Sequence, residues 1–92
     1  MTWSLSPTRK FLRAYKRLNN ATKLVVDSEV IKIVDNPNIG EKKSGNLKSI
    51  YVHKFHFQTT LYLIAYSKNE EIRIIDLEAV GPHENFYRDL SR

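Results

Sequence analysis

Two stretches of this chain carry residue types suited to phosphate chemistry. Near the C-terminus, Gly81-Pro82-His83-Glu84-Asn85-Phe86-Tyr87-Arg88 sets an imidazole, a phenol and a guanidinium just past a Gly-Pro turn signal. His83 and Tyr87 are four apart, so one or two helical turns over residues 84–90 would bring them side by side. Upstream, Lys54 and His56 are two apart in an alternating run, which puts both on the same face of a strand. Histidine takes or gives a proton near neutral pH, and lysine or arginine can hold the charge of a phosphoryl group. At the end of a strand, such a set could bind a phosphate or cleave a phosphodiester. A plainer alternative stands beside it, in which Phe86 and Tyr87 close a core as a C-terminal cap.

The elements that must position these residues follow from patterning. Residues 2–5 read as a short strand with Trp3 and Leu5 on one face. Ser6-Pro7 reads as an N-cap with proline in the first helical position. In the helix that follows, Phe11, Leu12, Ala14, Tyr15 and Leu18 share one side, while Arg9, Lys10, Arg13, Lys16 and Arg17 form a basic back. Asn19-Asn20 ends that helix and is placed to cap the next. Residues 20–34 are rich in valine and isoleucine, yet their length and the spacing of Val26, Val30 and Ile33 predict a second helix, antiparallel to the first. Asp35-Asn36-Pro37 stops it.

Residues 38–49 read as a polar loop carrying Lys42, Lys43 and Lys48. Three strands follow. Residues 50–57 alternate, with Tyr51, His53, Phe55 and Phe57 facing one way and Val52, Lys54 and His56 the other. Residues 61–66 are almost wholly apolar, as a central strand covered on both faces would be. A polar turn at residues 67–71 leads into a last strand over residues 72–80, which Gly81-Pro82 ends. The fold class expected is α+β: two helices packed on one face of a small twisted, mainly antiparallel sheet, in the order β-α-α-β-β-β with a short C-terminal helical turn. His53 would then face the helices as a core or rim histidine. The other face would be open, with Lys54, His56, His83 and Tyr87 on it.

Composition bounds the partners. A chain of 92 residues is one domain, and its apolar content of 41% is ordinary for a globular protein. The absence of cysteine excludes disulfides and thiolate catalysis. No apolar run approaches the roughly 20 residues that span a bilayer, and the N-terminus lacks a signal-peptide pattern, so a cytoplasmic protein with no membrane partner is expected. The net charge of +5 favours a polyanionic partner, and no acidic residue precedes Asp27. Asp76 and Glu78 are better read as a solvated strand face than as metal ligands, because no histidine stands at ligand spacing from them. No metal or other cofactor is expected.

The chain resembles the RelE/ParE superfamily of toxins from bacterial type II toxin–antitoxin modules, over nearly its whole length. The resemblance rests on Phe11-Leu12-Arg13-Ala14-Tyr15-Lys16-Arg17-Leu18, Asn36-Pro37-Asn38-Ile39-Gly40, the run at residues 61–66, and Gly81-Pro82-His83-Glu84-Asn85-Phe86-Tyr87-Arg88. It implies a cognate antitoxin that wraps the toxin. It also implies one of two activities: cleavage of mRNA on the ribosome, or inhibition of DNA gyrase without cutting. Lys54 matches a family lysine, His56 sits at a further basic position, His83 matches the basic residue at the end of the last strand, and Tyr87 falls near the aromatic that stacks on or orients the substrate. Many members carry arginine where this chain has Leu63, and some nuclease members that lack it work with histidines instead.

The reading taken is a metal-independent, ribosome-dependent mRNA endoribonuclease, with a gyrase inhibitor as the alternative. A homologue that only binds its antitoxin is a third. In the nuclease reading His83 is the main acid or base and His56 its counterpart. Lys54 and Arg88 supply fixed charge, and Tyr87 stacks on a base or donates to a phosphate. Arg9, Lys10, Arg13, Lys16, Arg17, Lys42, Lys43 and Lys48 would hold RNA or the ribosome.

Overall fold

The computed structural model describes residues 2–43, 49–84 and 86. The chain runs β1 (Ser4–Pro7), α1 (Arg9–Arg17), α2 (Asn20–Asp35), β2 (Glu41–Lys43), β3 (Ile50–Phe57), β4 (Thr60–Asn69) and β5 (Ile74–Pro82). The five strands form one sheet in the order β1-β5-β4-β3-β2. Only β1 runs parallel to its neighbour; every other pairing is antiparallel. The α+β expectation holds, and the sheet is larger at one edge than the sequence suggests. Glu41–Lys43, expected within a loop, is a three-residue edge strand that pairs with β3 through Glu41↔Val52, Lys42↔Tyr51 and Lys43↔Ile50. Three charged residues have little strand propensity of their own, so the neighbouring strand supplies the order.

Both helices form where expected, and tertiary bonds set their ends. The cap of α1 is Thr8 instead of Ser6: its hydroxyl accepts from the Phe11 amide at 3.1 Å and its own amide donates to Leu77 O at 3.0 Å. Pro7 stays in β1, paired with Leu77, where an edge position spares its missing N–H. Asn19 caps α2 by accepting from the Thr22 amide at 2.8 Å. The buried stripe of α2 is Thr22, Val26, Glu29, Val30 and Ile33, all at helical spacing. Local β preference yields here to burial of that stripe against Phe55, Ile64, Tyr66 and Leu77. On α1 only Phe11 is buried, and Leu12, expected on the core side, is 40% exposed.

His53 faces the helices as its alternation requires. It is buried, and its Nε2 lies 2.7 Å from Glu29 Oε1 on α2. Lys32 Nζ donates to the other carboxylate oxygen at 2.9 Å. Burial alone would raise the Glu29 pKa, but the hydrogen bonds from Lys32 and His53 outweigh it and hold the group below the usual carboxylate range. Tyr66, fully buried on β4, forms the second tie. Its hydroxyl donates to Pro37 O at 2.8 Å and accepts from the Gly40 amide at 2.9 Å, fastening the segment after α2 to the sheet.

The opposite sheet face differs from the open surface expected. Val52, Leu63, Ala65 and Ala79 are buried on it in a second apolar cluster with Phe86. Two expected boundaries also move. Residues 72 and 73 belong to the turn, with Arg73 at a φ of 56° and the Asn69 side chain accepting from the Glu71 and Ile72 amides. At the other end, Gly81-Pro82 extends β5 instead of ending it, and the His83 amide prolongs the ladder by donating to Leu61 O at 2.8 Å. Of the helical turn expected over residues 84–90, only Glu84 and Phe86 lie among the described residues, and the Phe86 amide donates to His83 O at 3.1 Å.

Candidate functional site

The sheet register sets the candidate residues in rows. Lys54 on β3 pairs with Leu63 on β4, which pairs with Gly81 on β5. Two residues along, His56 pairs with Leu61, and the His83 amide bonds the Leu61 carbonyl from the far side. His56 and His83 therefore flank one residue across two strand spacings, a backbone separation of roughly 10 Å. Lys54, His56 and His83 are all exposed. Lys54 Nζ also lies 4.0 Å from Glu41 Oε1, an acceptor that Lys43 Nζ approaches more closely, at 2.7 Å. Lys43, with Lys54 behind it, holds the Glu41 carboxyl below its usual pKa. Glu41 was not among the residues read from the sequence, because its place beside Lys54 depends on the β2–β3 pairing.

Leu63, the position where many RelE/ParE members carry arginine, has no exposed surface and packs with Phe86. That position therefore presents an apolar side chain to the core and no cation to solvent. Lys54, its register partner, is the fixed charge that this row presents to solvent.

Beside His83 lies a cavity of 570 Å³, lined by Thr59, Thr60, Leu61, Tyr62, Pro82, His83 and Glu84. Neither His56 nor Lys54 lines it. Its hairpin wall is a tight turn in which Gln58 and Thr59 both take positive φ, at 49° and 65°. Such a turn normally uses Asn-Gly, and a β-branched residue in this region is strained by roughly 1–3 kcal/mol. Glu84 has no ion pair among the described residues.

The basic residues expected to act together divide into separate groups. Lys10, Arg13 and Arg17, at helical spacing on α1, line a 590 Å³ cavity that runs to Val80, Glu84 and Phe86. Arg9 and Lys16 are exposed and line neither this cavity nor the one beside His83. Lys42 lines a third cavity of 400 Å³ with Tyr51, Lys68 and Asp76, toward the far end of the sheet. It pairs with Tyr51, five residues before His56, a distance of roughly 17 Å along the strand. Tyr87, Arg88 and Lys48 lie outside the described residues. Glu78, considered with Asp76 as a solvated face, accepts from Ser67 Oγ at 2.8 Å, and no group of three metal-ligating side chains occurs among the described residues.

A family model described as the ParE-like toxin of type II bacterial toxin–antitoxin systems matches residues 5–91. The chain belongs to this family. Solved structures agree on the fold of this ParE-like toxin. The E. coli toxin RelE, a mutant in the free state, matches with a TM-score of 0.77 at 18% identity, covering 99% of this chain and 96% of that one. RelBE2 from Mycobacterium tuberculosis, a toxin–antitoxin complex, gives 0.77 at 14% identity, covering 90% and 100%. The archaeal RelE–RelB complex from Pyrococcus horikoshii OT3 gives 0.64 at 16%, covering 89% and 96%. No curated protein matches the toxin in sequence. No helix among the described residues is long and apolar enough to cross a membrane.

Proposed function

We propose that this ParE-like toxin is a metal-independent endoribonuclease that cleaves mRNA on the ribosome and is neutralised by a cognate antitoxin. The observation that carries the reading is the row His56–Leu61–His83, with Lys54 two residues away on the same strand face. One histidine takes the proton from a ribose 2′-hydroxyl as its oxygen attacks phosphorus. The other gives a proton to the departing 5′-oxygen, leaving a 2′,3′-cyclic phosphate and a 5′-hydroxyl. His83 is the main acid or base, and Lys54 holds the charge that grows on the phosphorane. Tyr87 and Arg88 complete the set by orienting the substrate and adding charge. Lys10, Arg13 and Arg17 bind neighbouring phosphates along α1.

The antitoxin follows from family membership, and the matched RelBE2 and RelE–RelB structures are themselves toxin–antitoxin complexes. The competing reading is a gyrase inhibitor that cuts nothing. Buried Leu63 favours it, since an arginine-based catalyst would present its cation there. Induced expression without antitoxin separates the two readings: new RNA 5′ ends within translated messages support the nuclease, and a supercoiling defect without them supports the inhibitor.

A further inference from the structure

We propose that Glu41 is a built-in counter-ion of the candidate site: its carboxylate holds Lys43 and Lys54 in the RNA-free toxin, and an RNA phosphate displaces it to bridge the same two lysines. The proposal rests on the nuclease reading above and adds to it a residue that sets RNA affinity. Glu41 opens the edge strand β2 and pairs with Val52, two residues before Lys54 on the same side of β3. Lys43, two residues after Glu41 and paired with Ile50, shares that face. Glu41 Oε1 lies 2.7 Å from Lys43 Nζ and 4.0 Å from Lys54 Nζ. Ammonium groups from two strands therefore converge on one oxygen.

A phosphodiester group has the same charge as a carboxylate and, like it, only accepts hydrogen bonds. It can replace Glu41 between the lysines without changing the local charge. Lysine meets phosphate as a point charge on a flexible stem, so both ammonium groups can follow the incoming group. Glu41 is also free to leave. Its side chain is 60% exposed, those of Lys43 and Lys54 are 40% and 48% exposed, and water screens an ion pair in such a setting. The exchange still has a consequence. A phosphate that reaches Lys54 must compete with a carboxylate tethered beside it, so RNA held by this contact alone gains little. RNA also held by Lys10, Arg13 and Arg17 in the groove along α1 is retained, because its other contacts keep the phosphate at hand. The counter-ion thus favours a long, multiply held substrate over a short one.

The experiment measures binding of the full-length toxin to ribosomes programmed with a 2′-O-methylated message, which keeps its phosphates and offers no attacking hydroxyl. Wild type and Glu41→Gln are titrated across a salt series, each also in a background carrying Lys43→Ala and Lys54→Ala. Glu41→Gln should bind about two- to fivefold tighter at low salt, the range expected when an exposed ion pair no longer competes. Its dependence on salt should be steeper by about 1, because a lysine now neutralises a phosphate in place of Glu41. In the background without the two lysines the same substitution should give no gain. Glu41 is exposed, and a thermal melt verifies that the variant folds. Unchanged or weaker binding by folded Glu41→Gln, or an equal gain without the lysines, overturns the counter-ion. Cleavage of an unmodified message by wild type then leaves the nuclease reading intact. Wild type that cuts no unmodified message overturns both.

Discussion

His56 and His83 hold Leu61 between them: His56 is its register partner on β3, and the His83 amide bonds its carbonyl at 2.8 Å. Neither histidine is close to the other in sequence, and the β3–β4 hairpin plus the extension of β5 through Pro82 creates the pairing. If these rings move the protons, His83→Gln should keep the fold and lose roughly 10²–10⁴-fold in single-turnover cleavage. His56→Gln should lose a comparable or smaller factor. Lys54→Ala should also slow the chemical step. Thermal melts of each variant confirm folding.

Binding through phosphates should respond to salt, and α1 should differ from β2. Replacing Arg13 and Arg17 by alanine removes two cations from the groove that leads to β5, so ribosome or RNA affinity should fall with a shallower dependence on salt. The slope should decrease by about 1 for each phosphate left without its cation. Lys42→Ala should alter affinity far less if the RNA path follows α1. Binding titrations across a salt series measure both.

The tie at Tyr66 predicts two losses of stability. Tyr66→Phe leaves the Pro37 carbonyl and the Gly40 amide without their partner, a cost of about 1–3 kcal/mol. Gly40→Ala would place a Cβ 2.8 Å from Tyr66 Oη and 3.0 Å from its Cε1. The ring is fully buried and cannot swing away, so overpacking should cost about 1–3 kcal/mol. Urea unfolding of both variants tests this, with the denaturant slope unchanged.

Glu29 should shape the acid limb of stability. Its native pKa is held down by Lys32 and His53, so its charged form stabilises the fold. That contribution is complete above the ordinary glutamate value of about 4.3 and is lost as pH falls through the lower native value. Glu29→Gln should lower the melting temperature at pH 6 by about 4–8 °C for each 1 kcal/mol removed. Below pH 4 the difference from wild type should shrink. Melting curves from pH 3 to 6 give the comparison.

The helices and the central strand were legible because each carries enough residues for its period to outweigh local propensity. Val26, Val30 and Ile33 mark α2 despite their β-branching, and Leu63, Ile64, Ala65 and Tyr66 are buried as a strand covered on both faces requires. His53 was placed by alternation with Tyr51 and Phe55. What the sequence hid depends on long-range pairing. Glu41–Lys43 becomes a strand only beside β3, and Thr8 replaces Ser6 as a cap because Pro7 pairs with Leu77. Phe86 covers Leu63 from the other end of the chain, so the expected open face could not be recognised as a second core. The Gln58-Thr59 turn lacks the Asn-Gly signature of its backbone shape.

The most direct test of the histidine pair is single-turnover cleavage of a defined message on programmed ribosomes by purified wild-type toxin stripped of metal by prior dialysis against EDTA, with a gyrase supercoiling assay run on the same toxin preparation. Cleavage by the metal-stripped toxin that leaves a 2′,3′-cyclic phosphate and spares gyrase is expected from the paired histidines. Intact message together with gyrase inhibition would contradict it.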